Sequence, residues 1–261
     1  MRTKTLVLTA AISAAALATS MGQIFSVNAV GYVKQTIAFG KLALIANPLN
    51  QPNNDLNVIL PLKDDGTQDG VNIYRFANGS YRSTITWVSA GPGMGGVWFT
   101  PDSSTDPNAT VLNPGEGFFV YNSSLGGLAV DLTWVGEVMQ GNLSNRIPAN
   151  GSLSIRSSQV PQSAALGDAS AANAGTTLGF PATVGDLVYI FDVPTQAYLA
   201  AYSFLSGDPT MPCDPVLNPC VWFSATDMSP TGPVIPVGGA FFVIKTDAAA
   251  SVNWIRTFSV N

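Results

Sequence analysis

The chain has no histidine, two cysteines and two glutamates in 261 residues, and only 10% of its residues are charged. Each shortage excludes something. Without histidine there is neither Ser-His-Asp nor Cys-His machinery, and no imidazole ligand for a metal. Charged residues fall far below the roughly 25% of ordinary globular proteins. No Lys/Arg cluster interrupts the sequence, and a net charge of −5 repels phosphate backbones, so nucleic acid is not an expected partner. No apolar run reaches the roughly 20 residues that a membrane-spanning helix needs. What the chain does have is 46% apolar and 10% aromatic residues, enough to build a packed core rather than a disordered coil.

The N-terminus reads as a secretory signal over residues 1–22. Arg2 and Lys4 precede the short apolar stretch Leu6 to Ala18, and small residues follow. Cleavage is expected after Ser20-Met21-Gly22, with Ala16-Leu17-Ala18 as the alternative, and no cysteine nearby supports a lipid anchor. An extracellular or cell-surface location follows from this. In such an oxidising compartment Cys213 and Cys220, spaced Cys-Asp-Pro-Val-Leu-Asn-Pro-Cys, are expected to form a disulfide across a proline-rich loop.

The sequence also repeats itself in order. Gly31-Tyr32-Val33-Lys34-Gln35 is echoed by Gly136-Glu137-Val138-Met139-Gln140, and Leu42-Ala43-Leu44-Ile45 by Leu153-Ser154-Ile155. Tyr74-Arg75-Phe76 returns as Tyr189-Ile190-Phe191, Tyr81 as Tyr198, and Val97-Trp98-Phe99 as Val221-Trp222-Phe223. Gly117-Phe118-Phe119-Val120 returns as Ala240-Phe241-Phe242-Val243, and Trp134 as Trp254. Ordered matches with small length changes indicate a duplicated unit. β-Branched and aromatic runs separated by Gly/Pro/Asn/Asp clusters read as strands throughout, and Asn78-Gly79 is a hairpin signal. Helix is confined to short turns, one capped by Asn54 before Leu56, Ile59 and Leu60, and a counterpart over 161–166. The expected fold is all-β: two tandem duplicated sandwich- or barrel-like units, 23–138 and 139–261, sharing a boundary strand. That strand type occurs at Val27–Val33, Leu132–Val138 and Val252–Phe258, which leaves a spare copy at each terminus.

Three segments carry a family resemblance: Leu-Ala-Leu-Ile-Ala-Asn-Pro-Leu (42–49), Tyr-Arg-Phe-x-x-Gly-x-Tyr (74–81) and Pro-Gly-Glu-Gly-Phe-Phe-Val (114–120). Together they resemble a small β module of bacterial surface and secreted proteins. The opening Ser26 to Val33 is similar to secreted proteins of unassigned function from Verrucomicrobia-like bacteria. The resemblance spans nearly all of the expected mature chain and implies scaffold, with no catalytic residues. The second half departs from it at Pro236-Val237-Gly238-Gly239-Ala240.

Candidate chemistry is sparse. Glu116 and Glu137 are the only glutamates and neither recurs in the second half, so a glycosidase-like carboxylate pair is weaker than two solvated carboxylates. Gly91-Pro92-Gly93-Met94-Gly95-Gly96 matches a dinucleotide fingerprint in letters alone, because a strand pattern follows where a helix is required. Asp64, Asp65 and Asp69 form a candidate structural Ca²⁺ site, as does Asp102 to Asp106, against the commoner reading of ion-free acidic turns. Trp87, Tyr81, Tyr198 and Tyr202 are candidate sugar-stacking residues, against a reading in which they pack a core. No cofactor is expected beyond that Ca²⁺. The expected function is a non-enzymatic exported surface, matrix or filament protein that self-assembles through Val27–Val33 and Val252–Phe258. The alternative is a carbohydrate-binding module of an exported polysaccharide system.

Overall fold

Nineteen short strands and one helical turn make up the described residues of the computed structural model. Those residues are 29–100, 111–149, 151–167 and 176–260, the last span without 209, 212, 215, 227, 231 and 247–249. The expected signal peptide, Val27 and Asn28 of the first terminal strand, and Asp102 to Asp106 lie outside them.

The first half runs β1 (Val30–Ile37), β2 (Leu42–Ala46), α1 (Leu56–Ile59), β3 (Asn72–Ala77), β4 (Ser80–Tyr81), β5 (Ile85–Ser89), β6 (Gly96–Phe99), β7 (Gly117–Tyr121) and β8 (Val130–Glu137). Its sheet has the order β2-β7-β3-β5-β6, with β4 hairpinned onto β3. Asn78 and Gly79 close that hairpin, with φ of 54° and 77°, as a type I′ turn requires. β1 and β8 pair as a separate antiparallel ribbon. The helical turn is capped by Asp55, whose carboxylate accepts from Asn57 N, so the cap sits one residue after the expected Asn54.

The second half runs β9 (Gly141–Ile147), β10 (Ser154–Arg156), β11 (Ala164–Ala165), β12 (Leu187–Tyr189), β13 (Phe191–Asp192), β14 (Ala197–Tyr198), β15 (Tyr202–Ser206), β16 (Cys220–Ser224), β17 (Val234–Ile235), β18 (Phe241–Ile244) and β19 (Val252–Phe258). Its main sheet, β10-β18-β12-β15-β16, repeats the strand order of the first. The segment expected to be helical, 161–166, instead contributes β11, which pairs with β17.

The shared boundary strand is corrected. β8 pairs with β1, and the chain then starts a new strand, β9, which pairs with β19 over Gly141–Ile147. Neither terminal strand is a spare copy, because both are hydrogen-bonded within the chain. The echo between Gly31 and Gly136 has a different origin: they are direct cross-strand partners. A Cβ on Gly31 would lie 2.4 Å from the Leu49 side chain, and one on Gly136 would lie 2.6 Å from the Asn50 carbonyl. The two glycines let the ribbon press against Leu49–Asn50, where Asn50 and Glu137 exchange backbone hydrogen bonds of 2.9 and 2.8 Å.

Each ribbon covers one face of its sheet. The first core joins Trp134 and Leu132 of β8 to Ile45, Ile73, Phe118, Trp87 and Trp98. The second joins Trp254 and Ile147 to Phe180, Phe204, Trp222, Phe241 and Val243. Ring contacts recur between the two: Phe118–Trp134 and Phe241–Trp254 both have centroids 6.2 Å apart. At the edge of the second core, Lys245 is fully buried. It donates to the Pro181 carbonyl (2.6 Å), Thr183 Oγ1 (3.0 Å) and Asp186 Oδ2. Asp186 in turn accepts from Thr183 N (2.8 Å) and Thr246 N (3.1 Å).

Candidate functional site

Because side chains alternate across a strand, each sheet has a second apolar face turned away from its own core. On the first sheet that face carries Leu42, Leu44, Tyr74, Phe76 and Phe119, and on the second Leu153, Ile155, Tyr189, Phe191 and Phe242. The two faces meet as a third core. Their contacts repeat with the halves exchanged: Phe76–Phe242 and Phe119–Phe191 are both 5.4 Å edge-on pairs. Phe119 and Phe242 meet each other at 6.0 Å.

The turn before each central strand locks this junction. Ala46 N donates to the Gly238 carbonyl (2.8 Å) and Ser157 N to the Gly115 carbonyl (3.0 Å). The same carbonyls accept side-chain amides across the junction, from Gln35 Nε2 (3.0 Å) and Asn145 Nδ2 (3.0 Å). Gly115 and Gly238 both have positive φ. A Cβ there would lie 2.4 Å from Asn145 Nδ2 and 2.7 Å from Gln35 Nε2, so both positions need glycine.

Of the four aromatic residues singled out, two come together. Tyr81 and Tyr198 meet at the rim of the junction, where their hydroxyls interact. Burial holds both phenols above their ordinary range, and for Tyr198 the neighbouring Tyr81 adds to the effect. The rings stand edge-on to Phe76 and Phe191, at 5.1 and 5.4 Å. Beside them the part of the first sheet left open by the second half forms a shallow shelf of about 380 Å³, lined by Leu42, Tyr74, Tyr81, Phe119 and Tyr121. Tyr74 is also held above the ordinary phenol range, first by burial and then by Tyr121.

Trp87 is corrected. It is 2% exposed, packs on Trp98 at 5.5 Å and donates to the Lys63 carbonyl, so it cannot stack on a ligand. Tyr202 packs against the second core, apart from the other tyrosines. Tyr74 and Tyr121 were not among the sequence candidates. Their signal lies in register, because β3 and β7 place Tyr74 opposite Phe119 and Asn72 opposite Tyr121.

The proposed Ca²⁺ ligands do not converge. Asp64 accepts from Gly93 N and Gly95 N, Asp65 from Thr67, and Asp69 from Ser89. Each carboxylate stabilises a turn or loop, including the glycine-rich loop. Among the described residues no group of three or more Cys, Asp or Glu side chains could hold a metal ion. Glu137 is exposed at the end of β8, whereas Glu116 accepts from Asn113 N at 3.0 Å in the turn before β7. Cys213 and Cys220 form the expected disulfide, with Cα atoms 5.4 Å apart. No helix among the described residues is long and apolar enough to cross a membrane. Neither protein-family models, nor curated proteins, nor solved structures give a match to the chain.

Proposed function

We propose that this is an exported, non-enzymatic surface or matrix protein, built from two copies of one β unit, that binds glycans on the tyrosine shelf. One observation carries the reading: Tyr74, Tyr81 and Tyr121 line a single open, largely apolar surface on a sheet braced from behind. Sugar rings offer C–H faces to aromatic rings and hydroxyls to the phenol oxygens, and an apolar site with a few polar groups suits such a ligand. The disulfide and the N-terminal pattern support export. The test is glycan-array binding of the mature protein. Tyr74→Ala and Tyr121→Ala are expected to abolish it while the melting temperature stays within a few degrees. Undiminished binding in both variants would overturn the assignment.

A second reading, self-association, is favoured by a different surface. The outer face of the β1–β8 ribbon presents Val30 (74% exposed), Tyr32 (67%) and Val135, and Tyr32 and Val135 are cross-strand partners. Apolar side chains grouped so openly on a ribbon suit contact with another surface. Light scattering that reports only monomer across a wide concentration range, with Tyr32→Asp no different, would rule this out.

A further inference from the structure

We propose that a second cleft at the junction, floored by Ser154 and Arg156, binds a small carboxylate of the kind carried by a uronic acid. The proposal does not rest on the tyrosine shelf, which uses other residues.

The argument starts from two equivalent places that the chain treats differently. In each half, the turn after the β3-type strand reaches toward the first strand of the other half's sheet. On one side this turn is Val193-Pro194-Thr195-Gln196, between the paired residues Asp192 and Ala197. Gln196 grips β2 there: its Oε1 accepts from Leu42 N at 2.8 Å and its Nε2 donates to the Leu42 carbonyl at 2.9 Å. Val193 packs against the first core beside it. That place is plugged. On the other side the turn is only Asn78-Gly79, between Ala77 and Ser80. With two residues fewer, it leaves a cleft of about 180 Å³ that reaches Leu153 and Ser154. An adjoining opening of about 530 Å³ shares Asn78, Glu116 and Arg156 and adds Arg146.

The lining changes in step with the opening. The matched registers of β2 with β7 and of β10 with β18 set Ser154 where the first half has Ala43, and Arg156 where it has Ile45. Arg75 likewise stands where the second half has Ile190. The apolar equivalents pack in the cores, whereas Ser154, Arg156 and Arg75 line the open cleft. Ser154 is 5% exposed, and its Oγ is the one buried side-chain polar atom without a hydrogen-bond partner among the described residues. A buried hydroxyl with nothing to bond is unfavourable unless something else completes it. Beside it, Arg156 uses Nε on the Arg146 carbonyl (2.8 Å) and Nη1 on the Ile155 carbonyl (2.9 Å), so its Nη2 has no protein partner among the described residues. Burial, helped by Arg146, lowers the Arg156 pKa, while Glu116 opposes the shift.

Arg75, Arg146 and Arg156 are three of the five arginines among the described residues, and they gather here on a chain whose net charge is −5. Glu116 is, among the described residues, the only acidic side chain in either lining, and one of its oxygens is already engaged by Asn113 N. Among the described residues, the guanidinium groups of Arg146 and Arg156 against one carboxylate favour an anion. The planar guanidinium fork matches the two oxygens of a carboxylate. The narrow recess takes the carboxylate, and the wider opening takes the rest of a sugar-sized molecule.

The experiment titrates D-glucuronate into the isotope-labelled mature protein and follows backbone amides by NMR. Saturable shifts are expected at Ser152 to Arg156 and at Asn78–Gly79, with D-glucose producing none there. Arg156→Gln and Ser154→Ala are each expected to weaken binding by about tenfold or more. Arg156→Lys, which keeps the charge but loses the fork, is expected to fall between. Absence of saturable shifts, equal binding of glucose, or wild-type affinity in both Ser154→Ala and Arg156→Gln would each overturn the proposal.

Discussion

Phe119 and Phe242 occupy equivalent positions at the junction, and their truncation to alanine tests whether the two halves are held as one body. Each touches three rings: Phe119 meets Tyr81, Phe191 and Phe242, and Phe242 meets Phe76, Tyr198 and Phe119. Both are buried. Removing a buried phenylalanine side chain costs about 3–5 kcal/mol in lost transfer energy and residual cavity. Matched surroundings predict matched losses, so Phe119→Ala and Phe242→Ala should each fall in that range and within about 1 kcal/mol of each other. The two rings also share a contact worth about 0.5–1.5 kcal/mol. The double variant should therefore lose less than the sum of the singles by about that amount. Equilibrium urea unfolding gives the energies, and hydrogen exchange read by mass spectrometry shows which half opens. The wild type is expected to lose protection in β7 and β18 together, and the double variant in two separate steps. A loss below about 1 kcal/mol in either single variant, or protection that stays coupled in the double variant, would refute the argument.

Four further outcomes follow from the geometry. Lys245→Met leaves the Asp186 carboxylate buried without its cation, at a cost of about 3–5 kcal/mol in urea unfolding, and Asp186→Asn in the same chain should recover part of that. The phenols of Tyr74, Tyr81 and Tyr198 are raised, so the stabilisation they carry is complete below their ordinary value of about 10 and is lost as pH climbs beyond it. Absorbance titration should then show late-ionising tyrosines, and Tyr198→Phe should flatten the alkaline loss of stability. If all seven tyrosines ionise together, that account fails. Gly136→Ala forces a Cβ against the Asn50 carbonyl and should lower the melting temperature, whereas Gly79→Ala, with nothing near its Cβ, should register only the strain of its positive φ. Cys213→Ser with Cys220→Ser should cost about 2 kcal/mol, because the closed loop is short.

Much of the scaffold was legible because many of the repeated residues are buried. Phe118 and Phe241, Trp98 and Trp222, and Trp134 and Trp254 all lie in the two cores. β9 was not legible. Its buried positions are Leu143, Asn145 and Ile147, and the polar Asn145 breaks the apolar alternation that marks a strand. Asn145 is buried because its amide reaches the Ser157 carbonyl and, across the junction, the Gly115 carbonyl, a requirement set in part by the other half of the chain. Missing β9 made one boundary strand appear to serve both units. Trp87 alternates with Ile85 and lies with it in the first core, the packing reading that its sequence also offered. The Arg75, Arg156 and Ser154 cleft was hidden as well. Its residues are far apart in sequence and fall together only when the junction forms.

The two aromatic faces at the junction are near copies of each other, so each is shaped to accept its own kind. A surface that fits its likeness within one molecule fits the same surface on a neighbour, and the chain between β8 and β9 is only Val138 to Gln140. During folding at high concentration, the first half of one molecule can therefore dock on the second half of another in competition with its own. Two such molecules exchanging halves reciprocally make a closed, domain-swapped dimer, while a one-way exchange leaves an unsatisfied face at each end and continues as a fibre.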